Sequence, residues 1–600
     1  PIPLSNFQAA LDPAGRWLVF ASSDALATLD ARSATCSMNL WSYACPGVLA
    51  ARFSPTGDLL SVTHLSGARY QAPSAIRSDQ DGNIYLAGTT YSEEFPVTED
   101  AAQHEYAGPA LMQSNGRYYV GGDAFIAKLY GPNGALISST FAGTPSTDFP
   151  TSFDIDDSGR PALLLSTGPA AFPPPSSNVS FSALRLNEPF SRFDFNVPVD
   201  RPNSIRAAGD GSAWLLRSQT AIDHIAATGE ILQTLYLPDG LYASSMALAP
   251  GPVLWFSASL ATGDTYAPGL ARLTENSLDI RSGWPAALVE SDALGNVSLL
   301  SSASTLPVTP DAVLLEPCAQ AHYYARLTPD FHLDHGTFLP PAANPRLSLS
   351  PGGRPLINNG GSLSVLNLDA DPQPFLACVE HTAPNVSLPL APASLVTLRG
   401  RDIGPALPLD WQLDDTGKIA TILGGVTFTA AGLSAPILHA EPHRIDAILP
   451  YAAPVGEPVT LELSRDGQIL DTRPLTLAAR SFVVFRVENE DGTINSAANP
   501  APLGSAIRLL GSGAGPTDPP GVDGQVGHPV LAVPQAALRA DFLSYWLAPI
   551  RFNQAPEWPS GIMEAVFQLP PAAPAGVTST LLLLELGGKF TQSYPTIWFR

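Results

Sequence analysis

The sequence predicts an all-β fold, a ring of repeated sheets followed by sandwich domains, and three observations carry this. A glycine-centred pair of short apolar strands recurs seven times in the first 380 residues. Prolines and glycines are abundant, 60 and 49 of 600 residues, and the prolines are spread through apolar strand-like runs. After residue 380 the repeat gives way to two stretches that resemble each other instead.

The seven copies read Ala9 to Phe20 (AALDPAGRWLVF), Ile76 to Gly88 (IRSDQDGNIYLAG), Phe153 to Leu165 (FDIDDSGRPALLL), Ile205 to Leu216 (IRAAGDGSAWLL), Met246 to Phe256 (MALAPGPVLWF), Leu288 to Leu300 (LVESDALGNVSLL) and Leu347 to Ile357 (LSLSPGGRPLI). Their turns centre on Gly15, Gly82, Gly159, Gly211, Gly251, Gly295 and Gly353. A tight turn between paired strands needs a positive φ at one position, which glycine takes without steric cost. Neighbouring Asp and Asn favour the same turn. A second hairpin follows in several copies. Ala51 to Gly67 and Ala127 to Gly143 are clear, His224 to Tyr236 and Ala271 to Arg281 weaker. Two hairpins make a four-stranded sheet that is hydrophobic on both faces, so it must be covered by neighbours. Seven such sheets around an axis form a seven-bladed β-propeller over residues 1–380. The turn glycines are 40 to 77 residues apart, so some blades carry long insertions.

In the remainder, Ala391 to Pro405 parallels Ala501 to Pro516, and Ile445 to Leu463 parallels Met563 to Leu586. Alternating strands with turn signals about every ten residues suit a β-sandwich. The expected organisation is two tandem immunoglobulin-like β-sandwich domains, residues 381–480 and 481–600.

Charged residues make up only 14% and the net charge is −23. An acidic chain is a poor partner for nucleic acid. No run approaches the roughly 18 apolar residues of a membrane span. Lys128, Lys418 and Lys589 are the only lysines. The four cysteines, Cys36 with Cys45 and Cys318 with Cys378, lack zinc-ligand spacing. They read as two disulfides, with free buried thiols as the alternative. The chain begins at Pro1, which reads as a mature end.

Motifs with chemistry are few. His322, His332, Asp334 and His335 lie close in sequence. On a strand, however, His332 and Asp334 share a face while His335 points away, which is poor metal geometry. Asp79, Asp81 and Asn83 around Gly82 resemble the opening of a calcium loop without the acidic residue that closes it. Asp156 and Asp157 repeat the theme. Turn chemistry explains both, so no cofactor is expected and calcium is a minor alternative. Asp210 to Trp214 resembles the Asp-box hairpin of sialidase-type propellers, which is structural. Gly511 to Gly515 is glycine-rich but lacks the Lys-Ser/Thr of a phosphate loop. No G-x-S-x-G or H-E-x-x-H motif occurs. The sequence singles out no carboxylate pair for glycoside hydrolysis. Three N-V-S sequons, at Asn178, Asn296 and Asn385, read as incidental, and Pro173 to Ser177 as an insertion loop. Trp17, Trp214 and Trp255 fall on repeat strands and are expected in the core.

Two resemblances sharpen this reading. Asp123 to Pro150 (DAFIAKLYGPNGALISSTFAGTPSTDFP) and Ile84 to Pro96 (IYLAGTTYSEEFP) resemble the two halves of the repeat in a family of secreted bacterial seven-bladed propellers. This implies the fold and export; the family carries no agreed activity. The tail resembles a paired immunoglobulin-like module that closes many secreted proteins of soil-type bacteria. The matching residues are Pro392 to Gly400, Leu423 to Val426, Leu449 to Gly456, Asn499 to Ala501 and Gly511 to Pro516. It implies an extracellular or surface location.

The expected function is therefore a non-enzymatic, secreted or cell-surface structural or adhesive protein. Its partners would be other protein subunits, including copies of itself in a fibre or lattice, or a surface polysaccharide. A strand exchanged at a sheet edge would build such a polymer. The segment Pro1 to Phe7 either closes the seventh blade or is donated to a neighbour. A polysaccharide-binding module and a propeller-type hydrolase or lyase are the alternatives.

Overall fold

The computed structural model describes every residue except 1–4, 24–46, 68, 109–111, 115–116, 120, 169–178, 252, 264, 304, 320, 342–344, 359–362, 369–372, 384–388, 528–529 and 592. Among the described residues the regular elements are all β-strands. Two compact units form. The first comprises Pro1–Ala303, Tyr323–Gly336 and Ala342–Ala370, and the second Ser304–His322, Thr337–Pro341 and Asp371–Arg600.

The first unit holds seven successive antiparallel sheets, six with four strands and the last with three described strands, together with a small two-stranded ladder of Met112–Ser114 and Arg117–Tyr119. Each of the seven glycine-centred segments is the hairpin that opens one sheet. The seven turn glycines all have φ between +74° and +92°, a region that a side chain rarely tolerates. The first strands are Ser5–Leu11, Gln71–Ser78, Thr147–Ile155, Pro202–Ala207, Leu241–Ala249, Leu288–Ser291 and Arg346–Leu349. Each touches the next in this order, and the seventh touches the first.

Packing follows the two-residue period of the strands. On Ile84–Thr90, Leu86 enters a core shared with Leu18 and Phe20 of the first sheet. Its neighbours Tyr85 and Ala87 enter one shared with Leu163 and Leu184 of the third. Leu164 and Leu215 meet between the third and fourth sheets, and Leu216 and Phe256 between the fourth and fifth. Trp255 is fully buried and Trp214 nearly so, while Trp17 is half-buried.

A polar pin fixes the hairpins. Asp12 Oδ1 accepts from the backbone N–H of Ala14 and Arg16, both at 2.9 Å. Asp79, Asp156 and Asp292 repeat this with the residues two and four positions on. The third strand then brings a cation across the sheet. Arg52 Nη2 reaches Asp12 at 2.8 Å, and Arg185 Nη2 reaches Asp156 at 2.5 Å. Arg185 also donates to the Ala208 carbonyl in the turn of the next sheet, at 3.0 Å. Lys128, His224 and Arg272 hold the same register position. Lys128 pairs with Glu188 at 2.7 Å, His224 stacks on Trp214 at 4.1 Å, and Arg272 lies over the Trp255 ring.

The N-terminal segment departs from expectation. Ser5 to Phe7 neither completes the seventh sheet nor leaves the chain. It runs in the first strand of the first sheet, where Phe7 pairs with Ala21. Residues 1–4 lie outside the described residues.

In the second unit, two sheets enclose each of two cores. The first core contains Val396, Leu398, Phe428 and Leu463, and the second Leu509, Phe542, Phe567 and Leu584. The two halves share a strand order. Phe375–His381, Leu395–Arg401, Arg444–Ile448 and Ile437–Glu441 lie side by side in one, and Val483–Asn489, Ala506–Ser512, Ile562–Gln568 and Arg551–Gln554 in the other. The expected boundary after residue 380 falls inside the first of these strands. Segment 304–322, expected in the propeller, joins this unit for a local reason. Cys318 is disulfide-bonded to Cys378, the Ala319 N–H donates to Glu380 at 2.6 Å, and Arg399 bonds both Glu380 and Glu316. Cys36 and Cys45 lie outside the described residues.

Arg185 and Asp156 are both fully buried, so removing the cation strands a charge. Replacing Arg185 with Met is expected to destabilise the first unit by about 3 kcal/mol, read from urea unfolding. A loss below about 1 kcal/mol would mean the pin is ornamental.

Candidate functional site

The first strands of the seven sheets line a cavity of about 1170 Å³. One residue from each strand is comparable: in six strands it stands next to the last paired residue before the turn, and in the fifth two pairs before the end. These are Ala10, Arg77, Asp154, Arg206, Ala247, Glu290 and Ser348, opposite Leu18, Tyr85, Ala162, Trp214, Trp255, Ser298 and Leu356. All seven line the cavity.

Four of them are charged and interlock. Arg77 Nε lies 3.8 Å from Asp154, and its Nη2 4.0 Å from Glu290. Arg206 Nη2 lies 3.6 Å from the same Glu290 oxygen. Each arginine also donates from Nη1 to the carbonyl of the residue before it, at 3.1 and 3.0 Å. Asp154 accepts the Ala207 N–H at 3.0 Å. Every member of the ring keeps some solvent exposure. Pairs at 3.6 to 4.0 Å in water-accessible surroundings are loose, so these groups can exchange partners with a ligand. Sequence reading missed them, because the four side chains differ in type and are separated by 52 to 84 residues. The signal was positional: each stands five residues before its turn glycine.

The cavity wall also holds Asp210, Ser212 and His224. Ser212 Oγ donates to Asp210 Oδ1 at 2.6 Å, and His224 Nε2 lies 2.9 Å from Ser212 Oγ. That Ser212 bond is the leading cause holding the Asp210 carboxyl below its usual range. A nucleophilic serine gives its proton to histidine, with the carboxylate behind the ring. Here the serine proton is committed to the carboxylate, so the trio is a structural clasp of the turn that resembles an Asp-box.

The other sequence candidates resolve plainly. The oxygens of Asp79 and Asp156 accept from turn amides and from Asn83 Nδ2, Arg160 Nε and Arg185. Asp81 and Asp157 contribute nothing to those clasps. His332 and Asp334 are exposed and His335 is buried, as strand alternation requires; Asp334 pairs with Arg326. Among the described residues, one metal-like cluster joins Cys318, Cys378 and Glu380. Its sulfurs are spent in the disulfide, and a disulfide offers no thiolate. Gly513 and Gly515 sit in a sandwich turn with positive φ. Asn296 uses its side chain on Asp292, at 2.9 Å. Asn178, Asn385 and Pro173 to Ser177 lie outside the described residues.

Two carboxyls are buried away from the cavity. Asp123 is fully buried. Its Oδ2 accepts the Ala107 N–H at 2.7 Å, and its Oδ1 has no partner. Burial pushes this carboxyl up to about 7, and nearby Asp148 adds to the rise. Burial likewise raises Asp148, against the hydroxyls of Thr167 and Thr144.

No family profile matches the sequence, and no curated protein does. Solved structures similar to this chain include a polysaccharide lyase, Uly1, at 9% identity and a TM-score of 0.34, covering 61% of this chain and 90% of that one. The WD40 domain of Neurospora crassa Pan2 aligns at 9% identity and 0.31, covering 60% and 88%. A Bacteroides caccae protein of unknown function aligns at 10% and 0.28, covering 48% and 89%. Likenesses at these scores carry no argument about activity.

The folded Asp123 holds its proton to higher pH than the unfolded chain, where an Asp titrates near 4. Between about pH 4 and 7 the native state therefore binds more protons, and stability falls as pH rises through that window. Asp123→Asn is expected to remove this fall relative to the wild type, measured as melting temperature from pH 4 to 8. An identical pH slope in both proteins would refute the assignment.

Proposed function

We propose that this chain is a secreted or cell-surface adhesive protein without catalytic activity, and that it holds a polar partner at the mouth of a propeller channel. In this reading the first unit is a seven-bladed β-propeller. The second is a pair of immunoglobulin-like sandwiches that carry it. The cyclic contacts of the seven first strands and the repeated strand order of the sandwiches support that architecture. The Cys318–Cys378 disulfide suits an oxidising, extracytoplasmic setting.

The observation that carries the functional reading is the interlocked ring of Arg77, Asp154, Arg206 and Glu290, contributed by four different sheets to one open cavity. Loosely paired donors and acceptors at a channel mouth suit recognition of hydroxyl-rich or cationic groups. The charge balance narrows the partner. Eight Asp and Glu but only two Arg line the cavity. An acidic polymer would be repelled, and a neutral or amino-sugar polysaccharide accepted.

The test is binding of neutral, amino-sugar and acidic polysaccharides to the full chain. A neutral or amino-sugar polymer is expected to bind, with affinity reduced about tenfold by Arg77→Ala or Glu290→Gln, the scale of one charged hydrogen bond. Preference for acidic polymers, or no binding at all, would overturn the reading. Chain-length analysis of the incubated polymer separates holding from cleavage: shortened chains would mean an enzyme.

A further inference from the structure

We infer that the cleft between the two sandwiches is a second binding site, and that its ligand is a neutral oligosaccharide. This stands apart from the channel and does not depend on it.

The cleft has a volume of about 970 Å³, at the upper end of the usual range for ligand sites. Its floor is rigid. Leu395 and Ile448 of one sandwich pack with Leu510 and Ile562 of the other in a single buried cluster. The Leu395 N–H donates to Ser512 Oγ at 2.9 Å, and the Gly513 N–H to the Ala393 carbonyl at 3.2 Å. The site is thus preformed, which spares a ligand the cost of ordering it.

Two tryptophans line the cleft. Trp411 is 47% exposed although its backbone N–H is fixed to the Leu438 carbonyl at 2.9 Å. Trp558 is half-buried and held edge-on against Phe485, with ring centroids 5.8 Å apart. An exposed indole on a fixed backbone offers a flat apolar face at little entropic cost.

The polar lining follows the strand period. On Arg444–Ile448, Arg444 and Asp446 share a face and form a two-bonded fork at 3.1 and 2.7 Å. On Val483–Asn489, Arg486 and Glu488 likewise share a face, with Arg486 Nε 2.7 Å from the carboxylate. All four line the cleft. Each guanidinium is already neutralised, so an acidic ligand gains little. A purely apolar peptide face would bury these charges without replacing their water. Sugar hydroxyls donate and accept at once, so they can use the remaining guanidinium N–H groups and carboxylate lone pairs together. The C–H face of a pyranose ring meets the indole.

The probes are cellohexaose, xylohexaose and chitohexaose, titrated calorimetrically into the full chain. At least one is expected to bind, and Trp411→Ala is expected to weaken it at least tenfold with the melting temperature unchanged. Trp411→Phe is expected to recover most of the loss, which a general folding defect would not allow. Glu290→Gln, in the channel, is expected to leave this binding intact, so failure there and failure here are read separately. The inference is overturned if none of the three binds, if the binding that remains in the Glu290→Gln chain survives Trp411→Ala, or if Glu290→Gln abolishes it.

Discussion

The interaction that fixes register in the first and third sheets is the clasp between a turn carboxylate and a buried cation from the third strand. A sheet covered on both faces has no solvent side to declare its register. A slip of one residue would exchange the residues of its two cores, such as Leu86 with Tyr85 and Ala87, for equally apolar ones. Apolar packing alone discriminates poorly between those registers. The clasp does discriminate, because Asp156 must meet two specific backbone N–H groups, Arg160 and Arg185 at once. Burying Arg185 is costly: desolvation pulls its pKa down, and Asp156 opposes that. A displaced register would leave both charges buried and unpaired. The pair acts as a specificity device more than as a source of net stability.

The same cations join one sheet to the next. Arg52 donates to the Gly131 carbonyl in the second sheet, and Arg185 to Ala208 in the fourth. Lys128 pairs with Glu188 beyond its own sheet. Register within a sheet and placement between sheets are therefore set by the same side chains. The position two residues before each clasping Asp then falls in the cavity, as Arg77, Asp154 and Glu290 do. The scaffold delivers positions, and the residue type at each is left open.

What was readable in the sequence divides along this line. The turn glycines were legible because positive φ excludes nearly every other residue, and strand alternation correctly separated His332 and Asp334 from His335. The third-strand cation is present in the quoted repeats, as Arg52 in ARFSPTG and Lys128 in AKLYGPNG, yet nothing local distinguishes a pinned cation from a solvated one. The cavity ring was hidden for a different reason. Its members are related by register, and register appears only once the hairpins are paired. Chain order puts segment 304–322 between propeller repeats, while Cys318, Glu316 and Ala319 bind Cys378, Arg399 and Glu380. The direction in which a cysteine crosslink runs is invisible until its partner is placed. Of the N-terminal segment, Phe7 pairs with Ala21 in the first hairpin.

The ring also argues for itself as function. Three of the seven strands present Ala10, Ala247 and Ser348 to the cavity, and their hairpins are still paired. Small neutral side chains therefore satisfy the fold at this position. Charges at the remaining four are not demanded by packing, and loose pairs at 3.6 to 4.0 Å stabilise little. The cleft in the second unit shows the same separation. Leu395, Ile448, Leu510 and Ile562 hold its walls together, and the exposed Trp411 adds nothing to that seam. In both places the residues that the fold can spare are the ones that face an open cavity. That is where recognition is expected when rigid strands supply the geometry and side chains alone supply the chemistry.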